Sequence, residues 1–266
     1  MSSKIYVPES GTAREVKKVY APVYGVARSV KKVYKGVNGI ARQVFSGMPS
    51  FDSVFANNTW TNIILACQYG VVPSTWTVGN QKIMIINGLE YFVNIIGKNH
   101  DSYANGGGQA PLTFQLHTGY VSKEEMYETR TNIGGWKDSA MRAYHLPQIL
   151  SFMPLEIQNA IREVYKATSA GGESYTLHNT ADKLFLLSEF EVFGVNTTTA
   201  PGEGEQYEYY AAGNSKVKWV NGSASSWWTR SPQVSNSAGF FAISATGWPD
   251  NLSANASGGV CFAFCF

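Results

Sequence analysis

Charge is scarce in this chain. Asp, Glu, Lys and Arg make up 15% of its 266 residues, against roughly 25% in an average soluble domain. The shortage is uneven. After Arg230 the only formal side-chain charge is Asp250, and residues 231–266 contain no Lys, Arg or Glu. Solvated loops usually carry such charges, so this stretch reads as a neutral, small-residue surface kept for contact. Cysteine is also scarce. Cys67, Cys261 and Cys265 exclude a disulfide framework, and in a strand Cys261 and Cys265 would lie about 13 Å apart, beyond bonding reach. No apolar run approaches a membrane span, and the opening MSSKIYVPES has no signal-type apolar core. The expectation is a soluble chain made in the cytoplasm, without membrane insertion, a state compatible with export inside an assembled particle. His100, His117, His145 and His178 are dispersed. No Ser/His/Asp grouping, P-loop, GxGxxG or zinc spacing accompanies them. No catalytic residue, cofactor or metal site is expected.

What the chain has is aromatic side chains (14%), 26 glycines and a hydrophobic content of 44%, enough for one large domain with a small appendage. Low charge with many Tyr, Trp, Gly and Asn suits β-rich, loop-rich extracellular or virion proteins. Residues 1–47 hold three repeats of fourteen residues, at 4–17, 18–31 and 32–45. They align Tyr6, Tyr20 and Tyr34, Gly11, Gly25 and Gly39, Arg14, Arg28 and Arg42, and Val16, Val30 and Val44. Apolar residues alternate around each glycine, predicting strand, turn, strand. A unit this small cannot bury its own face. It is read either as a small β-meander with basic edges or as an assembly and docking module. The Lys/Arg spacing fits protection of strand edges as well as nucleic-acid contact, and no nucleic-acid partner is expected. Residues 46–50 read as a linker, and 51–266 as one domain.

Within that domain, residues 59–69 predict a helix, capped by Asn57, Asn58 or Thr59 and stopped by Gly70, with Cys67 on its buried face. Residues 82–86 and 91–97 predict strands around an Asn87-Gly88 turn, which Leu89 and Glu90 could lengthen. Residues 98–113 predict a loop in which His100, Asp101 and Asn105 form Asx-type turns, since one His with scattered oxygens lacks metal-site spacing. Residues 114–116 predict a short strand, and Glu124, Glu125 and Glu128 a solvated helical face. Helices are expected over 138–145 and 154–168, a buried strand over 182–187, and a long loop over 194–213. Tyr207, Tyr209 and Tyr210 there pack over the domain or add to a binding face. Hairpins follow from Lys216. Trp227 and Trp228 would point to opposite faces of a strand, with Arg230 able to satisfy buried carbonyls.

The run Trp227-Trp228-Thr229-Arg230-Ser231-Pro232 resembles the WWLRSP signature of a domain of unknown function common in gut bacteria and their phages, with Thr229 in place of the usual Leu. Matching pieces include residues 75–78, 95–101, 135–138, 181–189, 210–214 and the ending from Gly259 to Cys265, so the resemblance covers about 55–266. The N-terminal repeats resemble pieces at the front of phage tail proteins carrying this domain. The C-terminal organisation also resembles the variable proteins of diversity-generating retroelements, in which adenine-specific mutagenesis rewrites codons within a C-type-lectin-like fold. That resemblance implies an α+β architecture: a C-type-lectin-like domain of antiparallel strands and about two to three helices, behind a small β-repeat module. Rewritten Asn codons yield most residue types but not Lys, Glu, Gln, Met or Trp, which matches the missing Lys and Glu after Arg230. Gln233 and Trp248 do not fit that rule.

Within the variable region 223–266, the resemblance divides the residues into two sets. The scaffold set is Trp227, Trp228, Arg230, Ser231, Pro232, Phe240, Ile243, Gly247, Gly259, Val260, Phe264 and Cys265. The expected ligand contacts are Ser225, Ser226, Thr229, Val234, Ser235, Asn236, Ala238, Phe241, Ala242, Ser244, Ala245, Trp248, Pro249, Asp250, Asn251, Leu252, Asn255 and Ala256. Small adaptable residues with a few large anchors, here Phe241, Trp248 and Leu252, are what a binding surface uses. The expectation is a non-enzymatic ligand- or receptor-binding protein of a phage tail or cell surface. Its partners would be a protein or glycan on a bacterial surface and, through the repeats, other tail proteins, with a trimer by analogy. The rivals are a structural tail or adhesin subunit without a diversified site, and an oxidase resembling the formylglycine-generating enzymes, which use a cysteine pair. For that last reading, Cys261 and Cys265 have no neighbouring His, Lys or Arg in sequence to activate a thiol.

Overall fold

A computed structural model describes residues 50–266 throughout and, ahead of them, the backbone of six strands. The chain divides into two compact units, Met1–Phe51 and Asp52–Phe266. In the first, β1 (Ile5–Glu9) pairs antiparallel with β2 (Thr12–Val16), β3 (Tyr20–Val23) with β4 (Val26–Ser29), and β5 (Lys32–Val37) with β6 (Ile40–Ser46). The first two pairs lie within the first two fourteen-residue repeats, and the third spans the third repeat plus Ser46. The expected turns at Gly11, Gly25 and Gly39, and most of the linker over 46–50, lie outside the described residues.

The second unit is mixed α and β, mostly strands with five short α-helices. Thr59 begins α1 (Trp60–Gln68) by accepting a hydrogen bond from the Asn62 amide, and Gly70 leaves it with φ of 64°. β7 (Gln81–Ile86) and β8 (Leu89–Gly97) form a hairpin whose turn is Asn87-Gly88 alone, with φ of 49° and 77°. Positive φ at both central residues is the tight hairpin geometry that Asn-Gly favours. Ile86 pairs directly with Leu89, so Leu89 and Glu90 belong to the strand.

β9 (Thr113–Leu116) and β10 (Lys123–Glu124) follow. Glu124 lies on a strand and Glu124 and Glu125 are half-buried, correcting the solvated helical face expected there. A π-helical turn, Met141–His145, runs into α2 (Leu146–Ser151), and α3 (Leu155–Ala160) starts after Pro154. The helix expected to run on to residue 168 stops early. Ile161 is extended (ψ 128°), and β11 (Val164–Ser169) pairs along its length with β12 (Leu177–Asp182). The β-branched Val164 and Thr168 suit that ladder. β13 (Leu184–Phe185) leads to α4 (Glu189–Phe193), which opens on a Ser188/Glu191 capping box and closes on Gly194 at φ 71°. α5 (Glu208–Ala211) lies inside the expected long loop. There Tyr207, Tyr209 and Tyr210 are all buried, so they pack over the domain and add nothing to a binding face.

The remaining strands are β14 (Lys218–Val220), β15 (Ser223–Ser225), β16 (Trp227–Pro232), β17 (Gly239–Ile243), β18 (Pro249–Ser253), β19 (Gly258–Gly259) and β20 (Ala263–Cys265). Two five-stranded sheets result, in the orders β13-β20-β9-β8-β7 and β10-β19-β16-β17-β18. The C-terminal strand β20 is thus an interior strand of the first sheet, and residues 258–266 are buried throughout. Phe114 and Phe264 stack there with centroids 5.3 Å apart, Trp60 meets Phe114 and Phe266 edge-on, and Phe114 and Phe266 are tilted to each other. No helix among the described residues is long and apolar enough to cross a membrane.

Candidate functional site

The C-terminal stretch is built on β16. Trp227 and Trp228 are fully buried. The Trp227 indole donates to the Lys216 carbonyl (2.9 Å) and the Trp228 indole to the Glu124 carbonyl (2.7 Å). Any Cβ at residue 258 would stand 2.6 Å from the Trp228 ring nitrogen, so only glycine lets β19 pass so close.

Arg230 is the next fully buried side chain. It donates to the Leu186 carbonyl (2.9 Å), the Glu203 carbonyl (2.6 Å) and the Thr168 hydroxyl (3.0 Å), and makes a two-pronged ion pair with Glu191. Lys166 donates to Glu191 (3.0 Å), to the Tyr207 hydroxyl (2.9 Å) and to Asp101. Tyr207 and Thr113 donate to Asp101 as well. Burial pushes the Asp101 and Glu191 carboxyls up. Lys166 and His100 overcome it at Asp101, and Arg230 and Lys166 at Glu191, so both stay below their ordinary values. Glu203 has no full counter-charge. Burial lifts it to about 7, although the Ser169 amide and Ser231 hydroxyl bind it. A cavity of about 230 Å³ opens onto this network beside the Gly202–Glu205 loop. Asp101, Glu191, Lys166, Arg230 and Tyr207 satisfy one another, and the network braces β16 from beneath.

The structure divides the expected contact residues. Ser225, Thr229, Phe241 and Ala242, all expected as contacts, are buried. Thr229 and Phe241 lie in the interior strands β16 and β17, where the Thr229 hydroxyl donates to the Phe241 carbonyl (2.8 Å) and the Phe193 and Phe241 rings meet edge to face. Ser225 lies in β15 with its hydroxyl donating to the Ser223 carbonyl. Ala242 has its neighbours β16 and β18 on both sides.

The other fourteen, Ser226, Val234, Ser235, Asn236, Ala238, Ser244, Ala245, Trp248, Pro249, Asp250, Asn251, Leu252, Asn255 and Ala256, are half-buried or exposed. Most belong to two hairpin turns and the edge strand β18. Ser244 holds one turn by donating to the Trp248 carbonyl through its amide, with Gly247 at φ 85°. That turn presents Trp248, 72% exposed and the most exposed large apolar side chain among the described residues. Asn132 holds the other turn. Its fully buried amide donates to the carbonyls of Gln233 (3.2 Å), Asn236 (2.9 Å) and Gly239 (2.7 Å).

Between the second turn and β18 opens a cavity of about 410 Å³, lined by Ser235, Asn236, Ala238, Asn251 and Leu252 among others. Its one ionic lining residue is the exposed Arg130, from outside the C-terminal stretch. Sequence reasoning missed Arg130, Asn132, Glu191 and Lys166. Asn132 precedes the Gly134-Gly135 turn, and nothing local marks its role.

Cys67, Cys261 and Cys265 are unpaired and buried. Burial pushes the Cys67 and Cys261 thiols up to about 12 and Cys265 well above its ordinary value. Among the described residues, one group brings three metal-type ligand atoms within 4.8 Å of one another: Glu124, Glu125 and His145. It lies at the β10 edge of the second sheet. His100 and Asp101 make no such group, since Asp101 is committed to Lys166, Thr113 and Tyr207.

A family model described as Domain of unknown function (DUF6273) matches residues 113–266. Neither the curated proteins nor the solved structures contain a match to the chain.

Proposed function

This chain belongs to the family described as Domain of unknown function (DUF6273), and we propose that it is a non-enzymatic ligand-binding protein whose binding face is formed by the two C-terminal hairpin turns and β18. One observation carries the reading. A completely buried aromatic and arginine framework supports an outer rim that is exposed and nearly uncharged, with Trp248 at one end of β18 and the cavity beside Leu252 towards the other. A rigid base under small, exchangeable side chains with one large exposed aromatic is the composition of a recognition surface. Arg130 at the rim favours a ligand carrying an acidic group.

In this reading the second unit is a C-type-lectin-like domain, and the WWLRSP-like strand is its fixed framework. The exposed set apart from Trp248 is what a diversity-generating retroelement would rewrite. The protein would act on a phage tail or cell surface and bind a protein or glycan of a gut bacterium. The N-terminal repeats would dock it, as a trimer, to other tail proteins. A structural tail or adhesin subunit is the second reading, favoured if the exposed set does not vary between strains. The buried thiols of Cys261 and Cys265 speak against oxidase chemistry, which needs an accessible thiolate.

The test is adsorption of labelled protein to intact cells of a panel of gut bacteria. A Trp248→Ala/Asn251→Ala/Leu252→Ala variant should keep the thermal midpoint and lose at least tenfold in adsorption. Equal adsorption by wild type and variant, or none to any cell, would sink the reading. The DNA beside the gene supplies an independent check. The retroelement reading requires a near-copy of the 3′ end next to a reverse transcriptase, differing at template adenines.

A further inference from the structure

We propose that His145, Glu125 and Glu124 form a binding site for a divalent first-row transition ion, with Zn²⁺ the natural occupant. No metal is expected from the sequence, where His145 lies twenty positions beyond Glu125 and the set matches no ligand spacing.

The tertiary structure brings them together on anchored backbone. β10 pairs with β19 through Lys123 with Gly259 and Glu124 with Gly258, and the Glu124 carbonyl takes the Trp228 indole. On the other side, His145 ends the π-helical turn, in which the Leu146 amide reaches back five residues to the Met141 carbonyl. The Met141 amide donates to the Met126 carbonyl (3.4 Å), so the turn is tied to the residue directly after the two acids. Single π turns recur at functional sites because the extra residue re-aims a side chain.

The ring itself supplies the second observation. His145 is only 9% exposed, and its Nε2 is buried with no hydrogen-bond partner. A buried ring nitrogen without a partner is costly. Yet Nε2 lies 3.4 Å from Glu125 Oε1, and Nδ1 lies 3.5 Å from Glu124 Oε2. Charge-assisted hydrogen bonds close to about 2.8 Å. Two ligands each about 2.1 Å from a tetrahedral ion stand roughly 3.4 Å apart. The spacing between Nε2 and Glu125 is therefore that of two ligands around an ion. His145 and Glu125 take two positions, and Glu124 supplies a third, since the three residues can each offer one ligand atom with all three atoms within 4.8 Å of one another.

Both carboxylates keep about a quarter to a third of their side-chain surface exposed (25% and 31%). They are free to adjust, and water can fill the remaining positions. An imidazole with two carboxylates suits zinc, cobalt or manganese better than the all-oxygen shells of calcium and magnesium. Bound there, the ion would fasten β10 to the π turn and brace the edge of the sheet that carries the binding face.

The experiment is calorimetric titration of the tag-free, chelator-treated full chain with Zn²⁺ alone. Expected are one ion per chain and a higher thermal midpoint. Both should weaken at least tenfold in affinity and vanish in midpoint shift for His145→Gln and for Glu124→Gln/Glu125→Gln. Co²⁺ should give a visible absorption band that His145→Gln lacks. Circular dichroism of each variant establishes that it folds. If His145→Gln does not, Glu125→Gln, at a partly exposed position, decides the matter. No binding by the wild type, or unchanged binding in Glu125→Gln and the double variant, would overturn the site.

Discussion

Arg230 and Glu191 meet two-to-two in the protein interior, with Nη2 3.0 Å from Oε1 and Nη1 bonded to Oε2, and neither side chain exposes more than 2% of its surface. The pair joins β16 to the capping box of α4. Glu191 serves three partners at once there: Arg230, Lys166 and the Ser188 amide.

Removing one member strands the other as a buried charge. Arg230→Met and Glu191→Gln should each lower stability by about 3–5 kcal/mol, measured by urea unfolding. Arg230→Lys keeps the charge but not the fork that reaches Thr168, Leu186 and Glu203, and should recover little of the loss. A loss below about 1 kcal/mol in Arg230→Met would contradict the brace.

Glu203 predicts a pH dependence with a definite sign. Its carboxyl rises from an ordinary 4.5 to about 7 because it is buried. The folded protein therefore binds that proton more tightly than the unfolded chain. The associated stability is present below 4.5 and is lost as pH rises to about 7. Glu203→Gln lacks this slope, so its stability relative to wild type should grow across that window by up to roughly 3 kcal/mol. Asp101 and Glu191, held low, act with the opposite sign, and only as pH falls below the ordinary carboxylate range. Parallel urea titrations of both proteins from pH 4.5 to 7.5 measure the difference, and a constant gap would refute it.

The three thiols should be silent in the folded protein. With Cys67 and Cys261 pushed to about 12 and Cys265 also raised, an aromatic disulfide reagent at pH 8 should label none of them until urea unfolds the chain. Rapid labelling of any one under native conditions would show a thiolate that this geometry does not allow.

Two aromatic residues in the C-terminal stretch should respond in opposite ways. Phe241→Ala empties an interior site and should cost about 3–5 kcal/mol. Trp248→Ala removes an exposed ring and should leave the thermal midpoint within the scatter expected of a surface substitution, about 0.5 kcal/mol. Similar losses for both would mean that Trp248 is packed.

The division between Phe241 and Trp248 also marks where sequence reasoning stopped. Both were read as anchors of one contact set because both are large and sit in an uncharged stretch. Which face of β17 or β18 is covered depends on what packs against it. Phe241 pairs with Asn251 across the ladder and meets the Phe193 ring from α4, almost fifty positions away.

Local signals, by contrast, were legible. Asn87-Gly88 marked the hairpin turn, Thr59 was one of three candidate caps of α1, and Gly70 ended it, since each depends on the backbone freedom or hydrogen-bonding reach of a few adjacent residues. The resemblance likewise placed Trp227, Trp228, Arg230, Ser231 and Pro232 in the framework, while the burial of Thr229 between them was not legible.

The sequence by itself determined α1, the β7–β8 hairpin and the neutral character of the C-terminal stretch. Only the tertiary structure decided that Val164–Ser169 is a strand, that Arg230 is matched by Glu191, and that His145 faces two glutamates. The reason is physical. Helix propensity amounts to a few tenths of a kcal/mol per residue, and ladder pairing with Leu177–Asp182 overrides it. Arg230 finds its carboxylate 39 positions away and Asn132 its carbonyls 101 to 107 positions away, and no local periodicity records such distances.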